Sequence, residues 1–133
     1  MNRLTKINGI VAIMGTIIAK ALGGWDVALQ VLVGVVALDY LTGVLVAIFQ
    51  KRLSSEIGFK GITKKVMIFL LVYLACLVEQ ASGTDVLRLV VIFFYVANEG
   101  ISILENAGKL GVPYPKPLKN ILLQLKKQGE QDV

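Results

Sequence analysis

The sequence predicts an all-α integral membrane protein, with about four transmembrane helices in two hairpins and a C-terminal amphipathic helix. Of its 133 residues, 56% are hydrophobic and 17% are charged, and the mean hydropathy is +0.73. An ordinary soluble domain has roughly half of its residues apolar and about a quarter charged. The apolar residues form four long runs, and most of the cations lie in the polar segments around them. These observations together predict one compact membrane domain.

Composition also limits the chemistry that this chain can perform. The net charge of +5 is spread over loops and tails, which favours contact with anionic lipid over nucleic acid. There is no His, and the one cysteine, Cys76, lies inside an apolar run, where a thiol usually acts as a small apolar side chain. Without His or a Cys pair there is no ligand set for zinc or haem. We therefore predict no metal, no cofactor and no nucleic-acid partner.

The first two apolar runs predict a hairpin of helices over about residues 7–23 and 27–49. The first helix is short, and Lys20 can extend its stem to reach the membrane interface. Between the helices, the turn GGWD places Trp25 where interfacial aromatic residues are found. The positive N-terminal flank and the small-residue end of this run are also typical of a signal peptide. An uncleaved first helix is the interpretation adopted.

Small residues recur at four-residue spacing along both helices of this hairpin. In lipid, such faces let two helix backbones approach closely, and association then depends on packing rather than on escape from water. The contact is either inside one subunit or between subunits, and the sequence leaves both open. These helix-packing candidates are Gly15, Ala19, Gly23, Gly43 and Ala47.

The third and fourth apolar runs predict a second hairpin, with helices over about residues 64–81 and 86–105. Glu79 lies near the end of the third helix, and Arg88 lies near the start of the fourth. Both side chains are then at similar depth near the outer surface. We predict an ion pair between them, with a transport role as the alternative.

The candidate polar residues for assembly inside the predicted spans are Asp39, Asn98, Glu99 and Ser102. Polar groups at such depth are costly in lipid, so they should face protein or water. No nucleophile, metal-ligand set or glycine-rich phosphate loop accompanies them. We predict that they associate helices or line a wet cavity, that there are no catalytic residues, and that the protein is not an enzyme.

The segment of residues 50–65, QKRLSSEIGFKGITKK, is predicted to be a basic cytoplasmic loop between the hairpins. Short loops rich in Lys and Arg stay on the cytoplasmic side of a membrane. Both termini then lie on that side too, and both are basic. The cations of the segment that set this topology are Lys51, Arg52, Lys60, Lys64 and Lys65.

Residues 1–108 thus form the predicted transmembrane domain, and residues 109–133 form a cytoplasmic tail. The tail begins with a linker containing Pro113, Pro115 and Pro117, which cannot continue a helix. The segment 118–128 then alternates apolar and polar residues at helical spacing. Such an amphipathic basic helix suits the anionic membrane surface, and packing against a partner helix is an equal alternative.

Three stretches together resemble the phage lysis and toxin-secretion holin family of small bacterial membrane proteins. They are LDYLTGVLVAI at 38–48, SSEIGFKGITKK at 54–65 and NEGISILENAGKLGVPYPKPL at 98–118. The third is the most specific, because it joins several polar residues, glycines and prolines in one order. The stretches span about two thirds of the chain, and its size and basic tail are also similar to the family.

The resemblance implies a non-enzymatic function in the bacterial cytoplasmic membrane. Holins of this kind self-assemble at a set time into lesions, through which a cytosolic endolysin reaches the cell wall. In toxin loci, the same activity releases large toxins. It therefore implies membrane lipid and further copies of the chain as partners, with an endolysin or secreted toxin as functional partner.

Two other functions remain as alternatives. A small four-helix multidrug or ion transporter matches in length and number of crossings, but such transporters have a Glu in the first helix, and this first helix contains no acid. A membrane anchor would recruit a soluble partner through the C-terminal helix.

Overall fold

The computed structural model describes residues 2–131, which form five α-helices and no strand. They are α1 (Arg3–Ala21), α2 (Val27–Phe49), α3 (Ser55–Ser82), α4 (Leu87–Lys109) and α5 (Lys116–Gln131). Helices α1 to α4 are each long and apolar enough to cross a membrane. The predicted fold class, four apolar helices followed by a shorter one, is therefore confirmed.

Polar side chains fix the starts of the first three helices by accepting backbone hydrogen bonds that the helix cannot satisfy itself. Asn2 accepts from the N–H of Thr5 at 3.0 Å. Asp26 accepts from the N–H of Leu29 at 2.9 Å, and Ser54 accepts from the N–H of Ile57 at 3.2 Å.

Helix α4 lies at the centre of the bundle and packs against α2, α3 and α5. The hydrophobic core forms where α2, α3 and α4 meet in the half of the bundle near the α1–α2 turn. Its buried members are Leu22, Leu29, Leu32, Val36, Ile68, Val72, Ile92 and Val96. These side chains interdigitate and hold the three helices in fixed register, which positions the polar groups farther along each helix.

Helix α1 differs from the others because none of its residues is buried. The chain joins the bundle just beyond it, where Leu22 enters the core. Gly15 has open space around it, so it does not pack against another helix of the same chain. The small-residue stripe of α1 therefore remains a prediction for contacts between copies.

The predicted boundary of the third helix is wrong. Helix α3 begins at Ser55 instead of about residue 64, so the predicted loop of residues 50–65 shrinks to a short connection around residues 50–54. Two features explain the early start. Ser54 caps the helix, and Gly58 and Gly61 bring the first turns against Tyr40 of α2. Most of the basic segment is thus helical.

Helix α5 folds back along α4 in the antiparallel sense. Its Leu122 lies against Gly100, and its Gly129 lies against Phe94. Of the two placements predicted for the C-terminal helix, the structure has packing against a helix, and that helix belongs to the same chain.

Candidate functional site

A buried charge centre joins α2, α3 and α4 near the middle of each helix. The ammonium of Lys65 on α3 donates hydrogen bonds to Asp39 on α2 and to Glu99 on α4, the second at 2.7 Å. Asp39 is 6% exposed and Glu99 is 4% exposed. One lysine therefore binds the carboxylates of two other helices inside the bundle.

An amide and a hydroxyl extend this centre along α2 and α4. Asn106 donates from its side-chain nitrogen to the Thr42 hydroxyl at 2.8 Å and to Asp39 at 3.3 Å. The Thr42 hydroxyl donates back to its own helix, with the Leu38 carbonyl at 2.8 Å. Every buried side-chain nitrogen and oxygen in the described part of the chain has a hydrogen-bond partner. The polar interior is thus fully satisfied within one subunit.

The charges of the centre do not balance. When all three groups are ionised, Asp39 and Glu99 carry two negative charges against the single positive charge of Lys65. A buried ion pair contributes little net stability, but removing one partner leaves an uncompensated charge and costs about 3–5 kcal/mol. Lys65 is therefore the group on which the two carboxylates depend.

A cavity of about 200 Å³ lies beside the centre, on the side of the α2–α3 connection. Asp39 and Lys65 line its inner end, and Leu53 and Ile57 line it near the connection. Ser102 faces the same cavity. A cavity needs several polar partners before it holds water, and this one offers a carboxylate, an ammonium and a hydroxyl. It can therefore hydrate the charge centre.

Tyr40 packs beside this cavity against two glycines of α3. A Cβ at Gly58 would lie 3.3 Å from the Tyr40 hydroxyl, and a Cβ at Gly61 would lie 3.4 Å from its ring. The absence of side chains at both positions lets α2 and α3 approach closely here. The glycines of the basic segment therefore shape the wall of the cavity.

A second charged cluster holds the other end of the bundle. The Arg88 guanidinium donates to both carboxylate oxygens of Asp26, at 2.8 and 3.1 Å, and to the carbonyls of Leu22 and Gly24, at 2.6 and 3.2 Å. These bonds attach the α1–α2 turn to the start of α4. Gly23 allows the contact, since it has φ +93° and a Cβ there would lie 2.2 Å from Arg88 Nε.

Asp26 is the acid of this cluster. Hydrogen bonds from the Arg88 guanidinium and from the Leu29 backbone N–H lower the pKa of Asp26 to about 2. The side chain is 47% exposed, so solvent screens its interaction with Arg88 and limits the stabilisation.

The predicted ion pair between Glu79 and Arg88 is therefore not the pair that forms. Glu79 lies close to Arg88, as expected, but its carboxylate accepts from the Arg88 backbone N–H at 2.6 Å. That bond satisfies a free N–H at the start of α4. The guanidinium is directed to Asp26 because the α1–α2 turn lies at the same end of the bundle.

The other predicted residues divide between the centre and the surface. Asp39 and Glu99 meet at Lys65, and Ser102 lines the adjoining cavity, while Asn98 is half-buried outside this network. Gly43 and Ala47 line the cavity. Lys65, one of the cations predicted to set the topology, lies in the charge centre. The remaining four cations of that set are exposed, namely Lys51, Arg52, Lys60 and Lys64.

Three residues of the site were not predicted from the sequence: Tyr40, Thr42 and Asn106. A spacing pattern does point to two of them. Asn106 follows Glu99 and Ser102 at helical intervals on one face of α4, and Thr42 follows Asp39 by three residues. Among the described residues, no cluster of His, Cys, Asp and Glu could hold a metal ion.

Comparison with known proteins gives the family. Residues 16–127 match the model of the bacteriophage holin family. The chain belongs to this family. A probable holin of Bacillus phage phi105 is 33% identical to this holin-family chain over 95 residues, which cover 71% of this chain and 70% of that protein. The resemblance inferred from the sequence is thus confirmed.

Two further relatives are more similar to the holin-family chain. An uncharacterized 14.9 kDa protein of Clostridium perfringens is 44% identical over 119 residues, covering 88% of this chain and 89% of that protein. An uncharacterized protein of Listeria monocytogenes is 41% identical over 119 residues, covering 89% and 85%. No solved structure gives a significant match.

The three stretches that resemble the family meet at the charge centre. The first supplies Asp39 and the second supplies Lys65, while the third supplies Glu99 and Asn106. Stretches far apart in the sequence thus form one polar site. This convergence makes the charge centre the candidate functional site of the holin-family chain.

Proposed function

We propose that this protein is a holin that self-assembles in the bacterial cytoplasmic membrane into lesions. Through these lesions an endolysin reaches the cell wall, or a large toxin leaves the cell. Membership of the holin family and the four apolar helices support this function. The observation that carries it is the charge centre, because all three family stretches contribute to it.

The charge centre gives a physical account of delayed assembly. While Lys65 binds Asp39 and Glu99, the polar groups are satisfied inside one subunit, and the chain accumulates in lipid without exposing them. Charged groups are costly in hydrocarbon but are hydrated in a wet cavity. At high membrane concentration, separation of α2, α3 and α4 places these groups on a water-filled surface shared by several copies. Assembly thus exchanges internal ion pairs for hydration.

The orientation follows from the positions of the cations. Lys51 and Arg52 lie in the connection between α2 and α3, and further cations lie at the start of α1 and around the connection between α4 and α5. With four crossings, these three segments share one side of the membrane. The positive-inside rule places that side in the cytoplasm. The Arg88 cluster then lies at the outer surface.

The protein acts here without catalysis, and it needs no stable contact with the endolysin or toxin that it releases. The lesion is built from copies of one chain, and the released protein passes through it. A transporter would instead keep the membrane sealed, and an anchor would leave its permeability unchanged.

Inducible expression in a bacterium, with and without a co-expressed endolysin, tests the proposal. Sudden lysis that requires the endolysin is the expected result. Growth arrest without release of cytosolic protein, drug resistance without death, or normal growth would each contradict it.

Variants of the charge centre test its role in timing. Asp39→Leu and Glu99→Leu each remove one partner of Lys65, so both should change the time between induction and lysis. Glu56→Leu is the control, because Glu56 is an exposed acid at the start of α3. Unchanged timing in both centre variants, at equal membrane levels, would remove the centre from the mechanism.

A further inference from the structure

Helix α5 is held against α4 through two contacts at glycines. A Cβ at Gly100 would lie 2.8 Å from a methyl carbon of Leu122. A Cβ at Gly129 would lie 3.0 Å from the Phe94 Cβ and 3.4 Å from its backbone. Gly100 leaves room on α4 for a side chain of α5, and Gly129 leaves room on α5 for a side chain of α4. The two helices therefore fit one another along a defined register.

This position places two lysines of α5 beside the membrane-spanning part of α4. Lys126 and Lys127 lie between Leu122 and Gly129, so they are alongside residues 94–100, in the middle of α4. A lysine at the centre of a membrane-spanning helix costs about 3 kcal/mol, even when its long side chain reaches toward the interface. Close packing favours the docked position, and the lysines oppose it.

The C-terminal end of α5 adds to this opposition. Gly129 and Glu130 line one end of an apolar groove of about 500 Å³ between α3 and α4. A carboxylate finds no hydrogen-bond donor in an apolar wall, so this position is unfavourable for Glu130. The anionic cytoplasmic surface, in contrast, attracts an amphipathic helix that carries four lysines. A second position for α5, lying on that surface, therefore competes with the docked one.

We propose that α5 is a displaceable strap, which blocks α4 from packing against a second copy of the chain while it is docked. Its release uncovers Gly100, where the absence of a side chain lets another helix approach closely. The helix that replaces it is α4 of the second copy. This inference rests on the proposed function, since it explains what limits assembly of the lesion.

A disulfide that locks the strap provides the first test. A Cβ at 129 would lie 3.0 Å from the Cβ at 94, and a disulfide requires about 3.5–4.5 Å, so the bond forms after a shift of about half an ångström between the helices. The full chain carries Phe94→Cys, Gly129→Cys and Cys76→Ala, which removes the native thiol. Protection from a thiol reagent of known mass shows that the bond has formed, and migration as a monomer on a non-reducing gel shows that it lies within one chain. A matched control pairs Phe94→Cys with Leu123→Cys, whose residue is exposed on α5.

In oxidised cells that express an endolysin, the locked chain should not lyse, and addition of a reductant should start lysis. The control pair should stay reduced and lyse on schedule. Failure of the 94–129 bond to form within one chain would overturn the docked position. A complete bond with unchanged lysis timing would overturn the strap. The Cys76→Ala chain separates the two proposals, because its failure to lyse would contradict the holin function itself.

A second test releases the strap without oxidation. Gly129→Leu places a side chain against the Phe94 backbone, whereas Gly108→Leu adds the same side chain to a helical glycine with open space around it. Both changes raise helix propensity equally, so their difference isolates docking. Earlier lysis in Gly129→Leu than in Gly108→Leu is expected. Equal or later lysis would overturn the proposal.

Discussion

Replacing Lys65 by Met removes the one cation that lies between Asp39 and Glu99. Met has a similar length and fills the same space, so the packing of α3 changes little. The two carboxylates then lie inside the bundle without a cation between them, and of the two only Asp39 keeps a hydrogen bond, from the Asn106 amide. We expect this variant to be the most destabilising single change in the charge centre.

The magnitude follows from burial. Removing one partner of a buried ion pair costs about 3–5 kcal/mol. The Lys65 side chain keeps 20% exposure and a cavity adjoins it, so water screens part of the interaction, and the lower end, about 3 kcal/mol, applies. Lys64→Met is the matched control, because Lys64 is the preceding residue and is exposed. Its free energy of unfolding should change by less than about 0.5 kcal/mol.

Reversible unfolding of the purified protein in detergent measures both variants. Asp39→Asn and Glu99→Gln are then added to Lys65→Met, which leaves the centre neutral and able to form hydrogen bonds. This triple variant should recover most of the lost stability, since the cost comes from unpaired charge. If Lys65→Met unfolds like Lys64→Met, or if the neutral triple variant recovers nothing, the account of the centre is wrong.

Three further predictions concern the other charged cluster and the cavity. The pKa of Asp26 is lowered to about 2 from 3.8, so its contribution to the free energy of unfolding is complete above pH 3.8 and is lost as the pH falls toward 2. In Asp26→Asn, the free energy of unfolding should therefore change less between these two pH values than in the unchanged protein. Gly23→Ala should cost more stability than Gly24→Ala, because both have positive φ but only Gly23 faces Arg88; equal unfolding temperatures would contradict the close contact. Gly61→Leu should displace Tyr40 and change lysis timing relative to Gly9→Leu, a glycine with open space; identical timing at equal membrane levels would exclude this wall of the cavity.

The helices that cross the membrane were predictable because hydropathy acts over a whole segment. The bounds of α2 agree with the predicted helix over residues 27–49. The start of α3 could not be predicted in this way, because the charges of SSEIGFKGITKK suggested a loop. Helix formation there depends on the Ser54 cap and on contact with Tyr40, and hydropathy contains neither.

The candidate site was predictable in part for a related reason. Asp39, Glu99 and Ser102 are conspicuous because a polar residue inside an apolar run must face protein or water. Lys65 lies at the border of its run, where a cation is usually a topology determinant. Its role depends on the register between α3 and the other two helices. A single sequence gives the face of each helix but not that register.

The partner of Arg88 shows the same limit. The predicted hairpin of the third and fourth helices puts Glu79 near Arg88, and the structure has the two residues in contact. The α1–α2 turn reaches the same depth, however, and Asp26 is fixed there because it also caps α2. Position along the membrane normal therefore left both Glu79 and Asp26 as possible partners of the Arg88 guanidinium. The packing of the α1–α2 turn against α4 determines that the partner is Asp26.

Release of a folded cytosolic reporter protein from induced cells tests the central claim most directly, when membrane content of the chain is followed in the same culture. The account predicts that the chain first accumulates in the membrane while the reporter stays inside the cells. In cells that also express an endolysin, which opens the cell wall, the reporter should then appear abruptly in the medium. Asp39→Leu and Glu99→Leu should shift that moment, and Glu56→Leu should not. Steady accumulation of the chain in the membrane, with the reporter retained throughout, would contradict it.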